Sequence, residues 1–101
     1  DVEEIRSLSG GAKSRAWCQI KANASGLPVR TMKTTDVAAS LGAAILAGVA
    51  AGVWSSVEDN ASRFAEYDLE YTPEPQHKPL YTAMLGEYKL LMKELAPSFK
   101  R

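Results

Sequence analysis

The spacing of apolar and polar residues predicts a chain in which strands alternate with helices. The stretch Val2–Ser9 is short and mixed, and it predicts a strand that stops at Gly10. Apolar residues then recur at helical spacing, which predicts a helix that begins at Ser14 and is closed by Ser25 and Gly26. The predicted apolar positions of this helix are Ala16, Trp17, Ile20 and Ala24, and the predicted water-facing positions are Lys13, Arg15, Lys21 and Asn23.

Two later segments are predicted to be extended. Leu27–Lys33 forms a short strand with Pro28 at its entrance, where a missing N–H does least harm. A second segment alternates in polarity, which places Tyr67, Leu69 and Tyr71 on one face of a half-exposed strand. Strands that alternate with helices predict an α/β fold with a thin sheet of two or three strands.

The uncharged run Val37–Trp54 predicts an apolar helix that Thr34 or Thr35 caps. Two interpretations of this run compete. A membrane span needs about 20 mostly apolar residues, and Gly48 and Gly52 form the G-x-x-x-G pair that brings helices together in lipid. However, the run is slightly too short and is dominated by alanine and glycine. We therefore interpret it as a helix buried on nearly all sides of an α/β protein.

The last part of the chain predicts two more helices. Ser55 or Ser56 caps a short helix that ends near Ala65, and a final helix runs from about Pro79 to Leu95. The final helix carries one apolar stripe that is typical of a packing face, made of Tyr81, Met84, Leu85, Tyr88, Leu91, Met92 and Leu95. Since two or three strands make a thin sheet for so apolar a central helix, we expect missing sequence or another copy of the chain to cover that helix.

Composition narrows the class of protein. The chain has 101 residues, of which 46% are apolar and 24% charged, so it suits one small folded domain with a modest core. Its net charge is zero, which indicates neither a nucleic-acid partner nor a membrane surface. The single cysteine, Cys18, fits a packed thiol in a reducing, cytoplasmic compartment, and only the distant His77 would be available for a metal site. Because the chain starts at Asp1, close to a strand, we expect a fragment of a longer protein.

The pair Gly10–Gly11 is the candidate for chemistry. It follows the first strand and precedes the first helix, but its surroundings match neither the Walker loop nor the G-x-G-x-x-G fingerprint. Glycines before a helix with unpaired N–H groups allow an anion or a nucleotide to lie on the backbone. The same pattern is also typical of a simple tight turn. We assign Trp17 to the core rather than to a platform for an adenine, and Lys13 to the solvated surface rather than to a charge beside the nucleotide. The sequence leaves Gln19 open between solvent and a neighbouring loop.

The surroundings of this pair resemble the C-terminal domain of the FGGY carbohydrate kinases. Members show a Gly-Gly-Gly-Ala-(Lys/Arg)-Ser opening, a Trp-x-Gln, a Gly-x-Pro-Val and a Leu-Gly-Ala-Ala helix, and the likeness is greatest to the xylulokinase and gluconokinase branches. The matching residues are Gly10, Gly11, Ala12, Lys13, Ser14, Trp17, Gln19, Ala22, Asn23, Gly26, Pro28, Val29, Leu41, Gly42, Ala43 and Ala44. Ser9 departs from the pattern, since many members have there the first of three glycines, and Asn23 stands where others have Asp.

The resemblance implies a fold, a cofactor and a set of site residues. Family members are ATP-dependent sugar or polyol kinases with an actin-like ATPase (ribonuclease H-like) fold, and residues 1–101 would form an incomplete C-terminal part of the nucleotide-binding domain. The implied nucleotide-binding residues are Gly10 and Gly11 near the ribose and α-phosphate, Ala12 and Ser14 at the helix start, and Arg15 near the adenine.

The resemblance places the remaining machinery upstream. The catalytic Asp, the sugar contacts and the Mg²⁺ site of such kinases lie outside this segment, so no catalytic residue and no metal ligand are expected in this chain. The partners implied are ATP, a sugar or polyol, and the upstream kinase domains. The alternative is a free-standing, non-enzymatic module that binds a nucleotide or associates with itself as a homo-oligomer through uncovered apolar faces.

Overall fold

The computed structural model describes residues 1–100, which form three strands and four α-helices. In chain order the elements are β1 (Ile5–Ser7), α1 (Arg15–Ser25), β2 (Val29–Met32), α2 (Ala38–Ala50), α3 (Val57–Phe64), β3 (Tyr67–Tyr71) and α4 (Lys78–Leu95). Short 3₁₀ turns cover Gly10–Lys13, Thr35–Val37, Pro75–His77 and Ala96–Phe99. The α/β class and the order of elements are therefore confirmed.

The sheet has the order β1-β2-β3, with β1 parallel and β3 antiparallel to β2. Arg30 pairs with Glu70 but Met32 pairs with Tyr67, so a β-bulge adds one residue to β3. The Thr31 hydroxyl oxygen accepts a hydrogen bond of 3.1 Å from the Leu69 N–H at this bulge.

The bulge turns Tyr67 to the face of the sheet opposite α1. Its ring centroid lies 4.1 Å from the guanidinium carbon of Arg30 and 5.4 Å from that of Arg6. Tyr71 instead packs toward α1. The prediction that Tyr67, Leu69 and Tyr71 share one face was therefore wrong, because the extra residue reverses the alternation.

Helix α1 covers one face of the sheet and forms the core with it. Cys18, Ala22 and Val29 are fully buried there, with Ile5 and Tyr71 packed against them. The prediction of a packed Cys18 thiol is confirmed. Helix α1 ends at Gly26, whose φ of 73° suits a residue without Cβ.

The polar face of α1 differs from its prediction because Asn23 is buried. Its side-chain oxygen accepts hydrogen bonds from the Glu74 backbone N–H at 2.8 Å and from Gln19 Nε2 at 3.0 Å. Gln19 Nε2 also donates to the Thr72 carbonyl at 2.8 Å, which settles the open question about Gln19 in favour of a neighbouring loop. These bonds tie the segment after β3 to α1.

Helix α2 is shorter and more exposed than predicted. It ends at Ala50, because the N–H of Gly52 bonds to the Val49 carbonyl at 3.1 Å and the N–H of Val53 bonds to the Gly48 carbonyl at 2.9 Å. This is the Schellman arrangement, and it requires the positive φ of 75° at Gly52. Within residues 1–100 only Ile45 of α2 is buried, so burial on nearly all sides was wrong.

The ends of the remaining helices test the predicted caps. Neither Thr34 nor Thr35 caps the segment that leads into α2, whereas the Ser56 hydroxyl accepts a hydrogen bond from the Asp59 N–H at 3.2 Å and caps α3 as predicted. None of the helices that residues 1–100 form is both long and apolar enough to cross a membrane.

Much apolar surface is left uncovered among the described residues. The predicted packing stripe of α4 is largely exposed, with 55% of Met84 and 60% of Tyr88 accessible. The accessible surface is 7596 Å², against about 5,600 Å² for a compact protein of this mass. The radius of gyration is 18.0 Å, against about 13 Å for a compact domain of about 100 residues.

Candidate functional site

The carboxyl ends of β1 and β2 meet at one edge of the sheet, since the two strands are parallel. The loops that follow them are joined there by backbone and side-chain contacts. The Ser9 N–H donates to the Thr35 carbonyl at 3.1 Å, and the Thr35 hydroxyl donates to the Ser9 carbonyl at 3.0 Å. Lys13 Nζ lies 2.7 Å from an Asp36 carboxylate oxygen. Ligands of open α/β sheets bind at such an edge.

The glycine pair opens a separate 3₁₀ turn rather than leading directly into the helix. The turn spans Gly10–Lys13, and the Ala12 N–H closes it by donating to the Ser9 carbonyl at 3.0 Å. Helix α1 then begins at Arg15, where the Ser14 hydroxyl accepts a hydrogen bond from the Trp17 N–H at 3.2 Å. One of the helix N–H groups that were expected to be unpaired after the glycines therefore donates to the Ser14 hydroxyl instead.

The two glycines have different surroundings. A Cβ at Gly10 would meet no heavy atom within 4 Å, and the backbone there is not left-handed. A Cβ at Gly11 would lie 3.3 Å from Trp17 Cδ1 and 3.4 Å from Trp17 Nε1. Gly11 is thus closed on one side by the indole, whereas Gly10 faces open space.

Trp17 lies at this site and not in the core. Half of its surface is exposed, so its assignment to the core was wrong. Lys21, expected to face water, is half-buried: its ammonium group lies 5.7 Å from the centre of the indole ring and donates to the Ser7 hydroxyl. The Cys18 thiol contacts the Gly11 and Ala12 carbonyl oxygens at 3.7 and 3.6 Å.

The other predicted site residues lie in the turn or directly after it. Ala12 is buried and contributes its backbone to the turn, while Ser14 is the cap of α1. Arg15 stands at the first position of the helix and lines a shallow cavity of about 170 Å³ with Leu69 and Tyr71. The solvated position of Lys13 is confirmed, with the addition of its ion pair to Asp36.

Ser9 holds the one strained backbone conformation outside glycine among residues 1–100. Its φ of 60° and ψ of −156° lie in a region that is essentially restricted to glycine. The bonds to Thr35 hold the strained residue in place. This is the position where the related pattern has glycine, so the serine keeps the turn at a cost in stability.

We expect Ser9→Gly to stabilise the protein by about 1 kcal/mol. Relief of strain contributes about 1–3 kcal/mol, and the greater freedom of glycine in the unfolded chain offsets about 0.4–1 kcal/mol of it. Thermal unfolding measures the difference. Ser25→Gly, within the helical backbone of α1, is the matched control and should destabilise. A lower melting temperature for Ser9→Gly would contradict the assignment of strain.

A charged cluster lies away from this edge, on the sheet face opposite α1. Glu4 pairs with Arg6 at 2.9 Å and with Arg30 at 3.5 Å. The hydrogen bond from Arg6 lowers the pKa of the Glu4 carboxyl below its ordinary value. Among residues 1–100, no group of three His, Cys, Asp or Glu side chains is placed to hold a metal ion.

Comparison with known proteins gives one family and consistent relatives. Residues 2–51 match the model of the C-terminal domain of the FGGY family of carbohydrate kinases. The chain is 36% identical over 87 residues to the autoinducer-2 kinase of Klebsiella pneumoniae, covering 86% of this chain and 16% of that protein. It is 42% identical over 72 residues to the autoinducer-2 kinase of an Escherichia coli O139:H28 strain, covering 71% of this chain and 13% of that protein.

Solved structures agree with the sequence relatives. The fold superimposes on xylulose kinase from Lactobacillus acidophilus with a TM-score of 0.76 at 29% identity, covering 92% of this chain and 19% of that one. Gluconate kinase from the same organism gives a TM-score of 0.76 at 29% identity, with 92% and 18% covered. The chain therefore spans less than a fifth of each of these proteins.

Proposed function

Since the chain belongs to the FGGY family of carbohydrate kinases, we propose that it is part of the nucleotide-binding domain of an ATP-dependent sugar kinase. Residues 1–101 are an incomplete domain in this proposal, and the whole protein phosphorylates a hydroxyl group of a small carbohydrate. The relatives are named for autoinducer-2, xylulose and gluconate. A ketose, a polyol or an aldonate is accordingly the substrate class to test first.

The single observation that carries the nucleotide site is the open side of Gly10. Nothing within residues 1–100 fills the place of its Cβ, and its backbone conformation suits any residue. The chain itself therefore gives no reason for a glycine at this position. It lies at the carboxyl edge of two parallel strands, where a ligand needs to approach the main chain. A nucleotide that binds against the main chain of this turn explains why position 10 is a glycine.

The neighbouring residues take distinct roles in this proposal. Gly11 presents the face that Trp17 leaves open to the ribose and α-phosphate, and Ala12 supplies its backbone. The Ser14 cap fixes the start of α1, and Arg15 reaches the adenine from the first turn of that helix. ATP supplies the phosphoryl group, and the residues of this chain bind and orient the nucleoside end of it.

The remaining machinery is proposed to come from the rest of a longer kinase. The Mg²⁺ that accompanies ATP is assigned in this proposal to residues of the other domains. The same proposal assigns the catalytic base and the sugar contacts to the other domains. Phosphoryl transfer depends chiefly on positioning and charge neutralisation, and this chain contributes positioning.

The uncovered surface supports an incomplete domain. The excess over a compact protein of the same mass is about 2,000 Å², which is more than twice the ~800 Å² that one partner contributes to a standard protein–protein interface. It includes the apolar stripe of α4 and most of α2. We propose that the rest of the kinase covers these faces. The alternative is a free-standing module in which a second copy of the chain covers these faces.

Assays of the full-length gene product test the proposal. We expect ATP-dependent phosphorylation of at least one ketose, polyol or aldonate, measured by coupled ADP release with phosphate-free sugar as the acceptor. The 101-residue chain alone should not bind ATP at micromolar concentration in calorimetry, because half a cleft provides half the contacts. Micromolar binding by the chain alone, or a full-length protein that transfers no phosphate to the panel, would contradict the proposal.

A further inference from the structure

We propose that Trp17 is a positioning residue for the nucleotide, because its indole holds Gly11 from the side opposite the ligand. This inference rests on the proposed nucleotide site. The role of this half-exposed tryptophan is then neither core packing nor direct contact with the nucleotide.

The indole of Trp17 lies directly against Gly11. The Cβ position of Gly11 lies 3.3 Å from Trp17 Cδ1 and 3.4 Å from Nε1, which is tighter than most real Cβ contacts. The indole therefore occupies the space where any other residue at position 11 would place its side chain. Because L-residues place Cβ on this one side, the opposite face of Gly11 is the one left for a ligand.

The indole is itself held in place. The backbone N–H of Trp17 donates a hydrogen bond of 3.2 Å to the Ser14 hydroxyl oxygen, which anchors Trp17 in the first turn of α1. The Lys21 ammonium group lies 5.7 Å from the ring centre and is in turn bound to the Ser7 hydroxyl of β1. The ring thus joins the helix, the strand and the turn.

The next residue of α1 also holds the turn. The Cys18 thiol is fully buried and reaches the carbonyl oxygens of Gly11 and Ala12 at 3.7 and 3.6 Å. Two consecutive helix residues therefore hold the turn, one against the Cα of Gly11 and the other against its carbonyl group. Only the remaining side of the turn faces solvent.

The physical consequence is preorganisation. A pair of glycines loses more conformational freedom on ordering than any other pair of residues, and a binding surface that is ordered before the ligand arrives avoids this cost during binding. Loss of the indole should therefore weaken ATP binding without changing the affinity for the sugar.

Steady-state kinetics of the full-length kinase test the role of Trp17. We expect Trp17→Leu to raise KM for ATP by about fivefold, with KM for the sugar and kcat at saturating ATP within twofold of wild type. Trp17→Phe keeps a ring beside Gly11 and should restore most of the affinity. A purely structural role would instead lower the melting temperature and the active fraction with no selective change in KM for ATP, and that result would overturn the inference.

A double-mutant cycle tests the contact directly. Gly11→Ala should raise KM for ATP because its methyl group displaces the indole, and Trp17→Leu should partly rescue Gly11→Ala by making room. The inference fails if the two effects on KM simply multiply. A variant at Gly10 distinguishes failure of the nucleotide site from failure of the positioning role of Trp17. If the Gly10 variant raises KM for ATP while the Trp17 variants do not, the nucleotide site stands and the positioning role is wrong. If neither position affects KM for ATP, the proposed site is wrong.

Discussion

Replacement of Gly10 by alanine in the full-length kinase is expected to raise KM for ATP at least tenfold while leaving the fold intact. The fold should survive because a methyl group at this position meets no atom of residues 1–100 within 4 Å and needs no left-handed backbone. The affinity should fall because the methyl group stands where the nucleotide must approach the main chain. A tenfold loss corresponds to about 1.4 kcal/mol of binding free energy.

The controls separate loss of ATP binding from general damage. KM for the sugar should stay within twofold, and the melting temperature should not fall. Gly86→Ala is the matched glycine variant, since its added methyl group also meets open space among the described residues but lies on α4. The N-terminal part of α4 packs near the carboxyl end of α1, at the other edge of the sheet. A Gly10→Ala kinase with wild-type KM for ATP would remove the main support for the nucleotide site.

Replacement of Gly48 by alanine is expected to destabilise the protein by up to about 2 kcal/mol. The new methyl group would contact the Trp54 ring, with Cζ3 only 2.7 Å away, so the indole must move. Trp54 packs against Phe64 with ring centroids 5.7 Å apart, and the movement disturbs the contact between α2 and α3. Overpacking of this kind costs about 1–3 kcal/mol, and the better helix propensity of alanine offsets only about 1 kcal/mol.

Urea unfolding of the single and double variants checks the cause. Trp54→Leu removes the ring that the methyl group meets, so Gly48→Ala should cost much less in that background. We expect the double variant to be more stable than the sum of the two single effects predicts. Strict additivity would mean that Gly48 is required for another reason, such as a neighbour outside residues 1–100.

The G-x-x-x-G pair shows that the spacing of two glycines does not by itself predict their roles. Gly48 and Gly52 have the spacing of a helix-pairing motif, but in the structure each has a local task. Gly48 lies beneath Trp54, and Gly52 takes the positive φ that ends α2. Spacing alone could not distinguish these uses, because the decisive partner is a side chain beyond the end of the helix.

The thin sheet and the need for a further cover over α2 were predicted, whereas the exposure of the α4 stripe and the details at the site were not. The alternation of strands and helices predicted the α/β class, but the apolar stripe of α4, predicted to be a packing face, is largely exposed. Thr35 was assigned to a helix cap, since nothing in the sequence indicates that its hydroxyl binds the Ser9 carbonyl 26 residues away.

The sequence by itself determined the order of elements, the turn at Gly10 and Gly11 and the family, because these depend on local spacing and on a contiguous motif. Only the tertiary structure decided which glycine is open, where Trp17 lies, which face Tyr67 takes and why Ser9 is strained. Each of these depends on atoms that folding brings together from separate elements: the indole of α1 against the turn, the bulge of β3 against β2, and the loop after β2 against the loop after β1. Residue type and periodicity specify what each segment becomes, and packing between segments specifies which surfaces remain free to bind.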